Sequence, residues 1–137
     1  MTTFFADTSC FLALLNPTDQ DHARALTISR RTSDTIATTE FILVELASHL
    51  SSPRHRDLFL RALAHLRGSP FVNIVPCSSE LLQRGVEMFL RRMDKEWSLI
   101  DCISFVVMEQ LELDLALTAY HHFVQAGFRA LLLENPS

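Results

Sequence analysis

A chain of 137 residues, 48% of them apolar and 20% charged, with 10 Phe, carries enough nonpolar surface for one packed domain and too little length for two ordinary ones. That balance excludes a disordered tail, and no apolar run reaches the roughly 20 residues that a membrane span requires. Twelve basic residues, all Arg except Lys95, face 16 acidic ones for a formal net charge of -4. Such a domain is a poor bulk binder of nucleic acid, which takes many phosphate contacts, although it can still grip one locally. The N-terminus has no basic stretch ahead of its apolar residues and carries Asp7 early, which argues against a secretory signal. Cys10, Cys77 and Cys102 have no CxxC spacing and lie among apolar neighbours, so three buried free thiols in a reducing cytoplasm are expected. The six histidines show no zinc-ligand spacing, and the side chains of His121 and His122 are expected to point in different directions.

In chain order, Thr3-Phe4-Phe5-Ala6 reads as a short strand that ends at the helix-start signal Asp7-Thr8-Ser9. A helix from Cys10 to Leu15 follows and stops near Asn16-Pro17. A second helix begins after Thr18-Asp19, with Ala23, Leu26 and Ile28 as its apolar marks. The β-branched run Thr35-Ile36-Ala37-Thr38-Thr39 predicts the second strand. Phe41 to Leu50 is helical in period, closed by Pro53. Leu58, Leu60, Leu63 and Leu66 mark a further helix, ended by Gly68 and Pro70. Phe71 to Val75 is the third strand, Leu81 to Met93 a helix, and Ser98 opens a long helix to about Leu113. Leu115 to Thr118 is the fourth strand, and Arg129 to Leu133 a possible fifth. Strands alternating with helices predict an α/β fold, an α/β/α sandwich on a parallel sheet of four to five strands, with ligands outside the carboxyl ends of the strands. With three glycines in the chain, neither a phosphate loop nor a dinucleotide fingerprint is present.

Three carboxylates sit in apolar company. Asp7 ends Phe4-Phe5-Ala6, Glu45 lies inside Ile42-Leu43-Val44-Glu45-Leu46-Ala47, and Asp101 lies inside Ser98-Leu99-Ile100-Asp101-Cys102-Ile103. Glu87, Glu96 and Glu112, by contrast, read as solvated. A carboxylate held in an apolar segment has to be paired, neutralised or bound to a metal. No Lys or Arg lies within four residues of any of the three. Each also has a plain structural reading: Asp7 as a helix cap, Asp101 in a capping box with Ser98, Glu45 at the solvent edge of an apolar stripe. Parallel topology brings strand ends and following helix starts to one edge, where the three could converge. Close like charges raise each other's pKa unless a cation neutralises them, and oxygen-only ligands favour Mg²⁺ or Mn²⁺.

These residues resemble the PIN domain, a nuclease family, and in particular the VapC-type ribonuclease toxins of bacterial toxin–antitoxin pairs. The resemblance runs through Phe5-Ala6-Asp7-Thr8-Ser9, through 38–46 with Glu45, through 94–105 with Asp101, and through 117–128. It covers nearly the whole chain, read as a single PIN-like nuclease domain over 1–137. It implies a parallel five-stranded sheet and a divalent-metal ribonuclease site with Asp7, Glu45 and Asp101 as both catalytic and metal-holding residues, Thr8 or Ser9 helping by hydroxyl contacts. It further implies an RNA substrate, a cognate antitoxin and a homodimer; the cytoplasmic location and the lack of a membrane partner are expected from the free thiols and the short apolar runs.

The family's fourth acid falls on Tyr120, a neutral phenol. Three accounts stand open. The chain runs on one metal held by the remaining acids, with weakened activity; or the substitution inactivates it; or another group compensates, with Asp94 and His121 nearest in sequence and Asp114 at the wrong end of its strand. The alternative function is accordingly a catalytically inactive PIN-like module acting by RNA or antitoxin binding. A phosphate-receiver domain and a haloacid-dehalogenase-like phosphatase fit less well. The receiver needs an Asp after strand three, where Pro76-Cys77-Ser78 stands, and a late Lys. The phosphatase needs an Asp where Ser9 stands. The basic stretches Arg54, His55, Arg56, Arg61, Arg67 and Arg84, Arg91, Arg92 could steer RNA but read first as solvated helix faces. Trp97 reads first as a core or lid contact near the third acid, and second as a base-stacking ring.

Overall fold

The computed structural model describes residues 2–31 and 34–134. Five short strands, β1 (Thr3–Ala6), β2 (Thr35–Thr39), β3 (Val72–Val75), β4 (Leu115–Leu117) and β5 (Arg129–Ala130), form one sheet in the order β3-β2-β1-β4-β5. All four pairings are parallel, with Phe5 opposite both Ala37 and Ala116. The central place of β1 explains its continuous apolar run. Phe4, Phe5 and Ala6 are all buried, as a strand covered on both faces demands.

Seven helices connect the strands: α1 (Thr8–Leu15), α2 (His22–Ser29), α3 (Glu40–His49), α4 (Arg56–Gly68), α5 (Ser79–Arg91), α6 (Leu99–Gln110) and α7 (His121–Gln125). Helix α1 packs on α2 and α3, and α3 on α4, whereas α5 packs on α6 and α6 on α7. Right-handed crossovers account for this split. The chain moves outward from β1 through β2 to β3 with one layer of helices, then returns to β4 and β5 with the other. The order therefore reverses between β1 and β4, which places the topological switch point, where open parallel sheets bind ligands, beside the residues that follow these two strands.

The predicted elements are all present, with boundary differences that have local causes. Helix α1 begins two residues early because the Asp7 side chain accepts the Cys10 N–H and caps it. Thr39 likewise caps α3 through the Ile42 N–H. Helix α6 stops at Gln110 rather than Leu113, because Glu112 takes a left-handed φ of 55° and the Leu113 N–H turns back to the Met108 carbonyl at 2.8 Å. Strand β5 is two residues long. Leu131 and Leu132 stay buried but lie in a turn. Helix α7 lies in a segment with no element assigned from the pattern. On α2 the core-facing residues are Ala25 and Ile28, not Ala23, which is exposed. On α4 only Leu66 is buried and Leu60 is exposed. Of the three thiols, Cys10 and Cys102 are buried as expected; Cys77 is exposed, because it follows Pro76 on the loop out of β3. All three are free.

Helices α5 and α6 approach closely at Gly85, where an added Cβ would stand 2.4 Å from Ile103 Cγ1. Ile103 is fully buried and has nowhere to move. Gly85→Val is therefore expected to cost about 1–3 kcal/mol by overpacking, read as a lower urea midpoint with an unchanged slope.

Candidate metal-binding and catalytic edge

Asp7 leaves the end of β1 at the switch point and is 2% exposed. Its Oδ1 accepts the Ser9 hydroxyl at 2.8 Å and the Cys10 N–H at 3.3 Å. Its Oδ2 accepts the Thr118 hydroxyl at 2.7 Å, from the residue just beyond β4. Because Ala6 pairs with Leu117, the next residues of the two strands, Asp7 and Thr118, come out side by side. The two hydroxyls also accept: Ser9 Oγ takes the Ala119 N–H and Thr118 Oγ1 takes the Tyr120 N–H, each at 3.0 Å. The ends of β1 and β4 are thus tied together around one carboxylate. No cation pairs with it among the described residues. Burial outweighs the hydrogen bonds and, with the nearby Asp101 charge, raises the Asp7 carboxyl to about 7.

Glu45 is half-buried in α3 and accepts the Thr8 hydroxyl, so α3 is linked to the first turn of α1 directly beside Asp7. Asp101 occupies the first turn of α6. Its Oδ2 accepts the Ser98 N–H at 3.0 Å, and Ser98 Oγ returns the bond to the Asp101 N–H at 3.0 Å, a complete capping box. The same Oδ2 lies 2.8 Å from His122 Nδ1. The structural readings of Asp7 and Asp101 therefore hold; Asp101 lines the edge as well, whereas Asp7 is buried behind it. Glu45, Ser98, Asp101, Tyr120, His121 and His122 line one depression of about 310 Å³. The charges of Asp7, Glu45 and Asp101 all act on the Tyr120 phenol. Together with partial burial, which contributes most, they push its pKa up to about 12.

The four positions singled out by sequence thus surround one edge of the sheet. The acids are nevertheless held by protein partners. Among the described residues, no three His, Cys, Asp or Glu side chains are drawn together closely enough to hold an ion between them. Asp94 is turned to Arg92 at 3.0 Å, away from any compensating role, while His121 lines the depression and is exposed. Trp97 is a core residue. It is 5% exposed, donates to Gln125 Oε1 at 3.0 Å, meets Phe105 edge-on and has the Arg92 guanidinium over its ring. Of the arginines, Arg61 pairs with Asp57 and Arg92 with Asp94, in exposed pairs worth little.

Thr118 and His122 escaped the sequence reading as site residues. Thr118 is identified by the parallel register, and His122 by the short helix α7, neither of which periodicity supplies. Thr118→Val keeps the shape and removes the hydroxyl proton that Asp7 accepts. A hydrogen bond to a charged group contributes about 1.5–3 kcal/mol. The Asp7 titration in the variant, followed by NMR, is expected about one pH unit or more above that of the parent.

Comparison with known proteins places the fold in a family. The profile described as PIN domain matches residues 4–128. The chain is 29% identical over 125 residues to a 23S rRNA-specific endonuclease, VapC20, from two strains of Mycobacterium tuberculosis, covering 90% of this chain and 94% of the relative. The crystal structure of M. tuberculosis VapC20, described as a sarcin-ricin loop cleaving toxin, superposes with a TM-score of 0.82 at 26% identity, over 92% of this chain and 96% of that one. The structure of VapBC2 from Rickettsia felis, bound to a DNA fragment from its promoter, shares the fold with a TM-score of 0.65 at 16% identity, covering 93% and 94% of the two chains. With the profile spanning β1 to the end of α7, the chain belongs to the PIN domain family, a family of nucleases.

Proposed function

We propose that this chain is a Mg²⁺- or Mn²⁺-dependent endoribonuclease, the toxin of a toxin–antitoxin pair, built as one PIN-type domain. The observation that carries the reading is that Asp7, Glu45 and Asp101, from three separate segments, all act on the Tyr120 phenol at the switch point, Glu45 and Asp101 lining the depression and Asp7 buried behind it. PIN nucleases generally use divalent metals, and the donor set here fits a hard cation. It is made of oxygens alone, and its innermost member is a buried carboxylate with no cationic partner. Asp7 and Asp101 would hold the ion, with Glu45 joining directly or through water. A bound divalent ion supplies Lewis-acid stabilisation of the phosphodiester and a more acidic water.

The chain's own residues prepare that chemistry. Ser9 and Thr118 fix the Asp7 carboxylate and favour its charged form. Thr8 aims Glu45, while Ser98 and His122 hold Asp101 from two sides. Positioning of this kind keeps the acids from spending reorganisation energy when substrate arrives. VapC20, a 23S rRNA-specific endonuclease and toxin, supports RNA as the substrate, and the toxin reading carries with it an antitoxin partner and a homodimer. Among the described residues no helix is long and apolar enough to cross a membrane.

The deciding experiment is cleavage of a mixed RNA pool by the purified chain with and without Mg²⁺ or Mn²⁺. Cleavage that needs the ion and disappears in Asp7→Asn is the expected result. Tyr120 favours a second reading, a PIN-like module that binds RNA or antitoxin without catalysis. RNA cut only by the Tyr120→Asp variant would establish that reading and overturn the first.

A further inference from the structure

We propose that Tyr120 is a base-stacking residue, whose ring at the rim of the acidic depression receives a nucleobase next to the scissile phosphate. The inference rests on the nuclease reading above and adds a substrate contact to it.

The ring has no structural duty that explains its place. Tyr120 occupies the N-cap position of α7 but makes no side-chain cap, and among the described residues its hydroxyl has no hydrogen-bond partner. It is 38% exposed and lines the depression together with Glu45, Asp101, His121 and His122. The phenol is uncharged near neutral pH, as tyrosine ordinarily is, and it shares the depression with two carboxylates. The surrounding anions repel phosphate wherever no cation screens it. A nucleobase is the part of RNA without that penalty, since it is uncharged and presents a flat π-face that stacks on aromatic rings whatever its sequence. The position also suits this role by geometry. The backbone N–H of Tyr120 donates to Thr118, whose hydroxyl donates to Asp7, so the residue is anchored two hydrogen bonds from the innermost acid. Trp97, the other aromatic candidate near the third acid, is taken out by burial, its bond to Gln125 and the Arg92 cover. The exposed imidazole of His121 beside Tyr120 extends the same surface.

The chain has one tyrosine, so biosynthetic 3-fluorotyrosine reports this ring alone. The probe is a short single-stranded RNA of mixed sequence, added with Mg²⁺ to the full chain carrying Asp7→Asn, which prevents turnover. Expected are an upfield ring-current shift of the single fluorine line and binding that weakens between about five-fold and a hundred-fold in Tyr120→Ala. Tyr120→Phe keeps the affinity within about two-fold, because the ring and not the hydroxyl makes the contact. Tyr120→Leu, which keeps apolar bulk without a π-face, loses affinity as Ala does and guards against a folding defect in the smaller variant. The proposal is overturned if Ala and Leu bind as the parent does, or if Phe loses as much as Ala. Unaltered Tyr120→Ala binding in a chain whose parent form still cleaves RNA rejects the stacking role alone. A parent that neither binds nor cuts RNA rejects the nuclease reading with it.

Discussion

Asp7→Asn is expected to make the protein more stable at pH 8 and to abolish RNA cleavage, two effects with one cause. The Asp7 carboxyl titrates at about 7 in the fold against an ordinary value of 3.8. The unfolded chain therefore gives up this proton first as pH rises. The contribution of the protonated group is complete below about pH 4, falls through the interval between the two values, and is gone above about pH 7. At roughly 1.4 kcal/mol per pH unit, the charged group costs the fold about 4 kcal/mol at pH 8 in the absence of divalent ions. Asparagine keeps an acceptor for the Ser9 and Cys10 donors and never ionises. Urea unfolding of parent and variant in chelator should show similar stabilities near pH 4 and a widening gap in favour of Asn toward pH 8. A gap that does not change with pH would contradict the account. Adding Mn²⁺ should stabilise the parent by ligand linkage and leave Asp7→Asn nearly unmoved. Cleavage should fall by at least about a hundred-fold, since the innermost ligand of the ion and its charge are lost.

Tyr120→Asp is expected to tighten divalent-ion binding on the order of ten- to a hundred-fold. The three carboxylates already act on this position, so a fourth raises the negative charge of the depression without moving any element of the fold. The sign of the stability change then depends on the ion. In chelator the added like charge destabilises the variant relative to the parent, and in Mn²⁺ the order reverses. Calorimetric titration with Mn²⁺ measures the affinity directly. Equal affinities of parent and variant would mean that the side chain at position 120 does not face the ion. The same substitution removes the aromatic ring, so RNA binding should weaken while ion binding strengthens. That opposition separates the two roles of the position.

Much of this arrangement is legible in the sequence, because several signals agree locally. The run Thr3-Phe4-Phe5-Ala6 is apolar enough to mark a central strand. Asp7, Thr39 and Ser98 announce the helices they cap, and the apolar surroundings of Asp7 and Asp101 mark them as more than caps. What escapes the sequence depends on contacts between distant segments. The Thr118 hydroxyl matters only because β1 and β4 are paired in a register that puts it beside Asp7. His122 matters only because five residues after Tyr120 coil into a helix and turn Nδ1 toward Asp101. Leu60 and Ala23 show the other limit. Helical spacing identifies an apolar stripe but not how much of it the neighbouring layer covers. Cys77 fails for the same reason, its apolar neighbours being strand residues on the far side of Pro76.

The central proposal is that Asp7 and Asp101 hold one divalent ion at the carboxyl edge of the sheet, with Glu45 joining directly or through water, and a paramagnetic ion tests it most directly. In the fluorotyrosine-labelled chain, whose single fluorine line comes from position 120, added Mn²⁺ is predicted to broaden that line beyond detection. Excess Mg²⁺ should restore it, and in Asp7→Asn with Asp101→Asn the line should stay sharp. A line that remains narrow in the parent chain at saturating Mn²⁺, or one that broadens equally in the double variant, would contradict the shared ion.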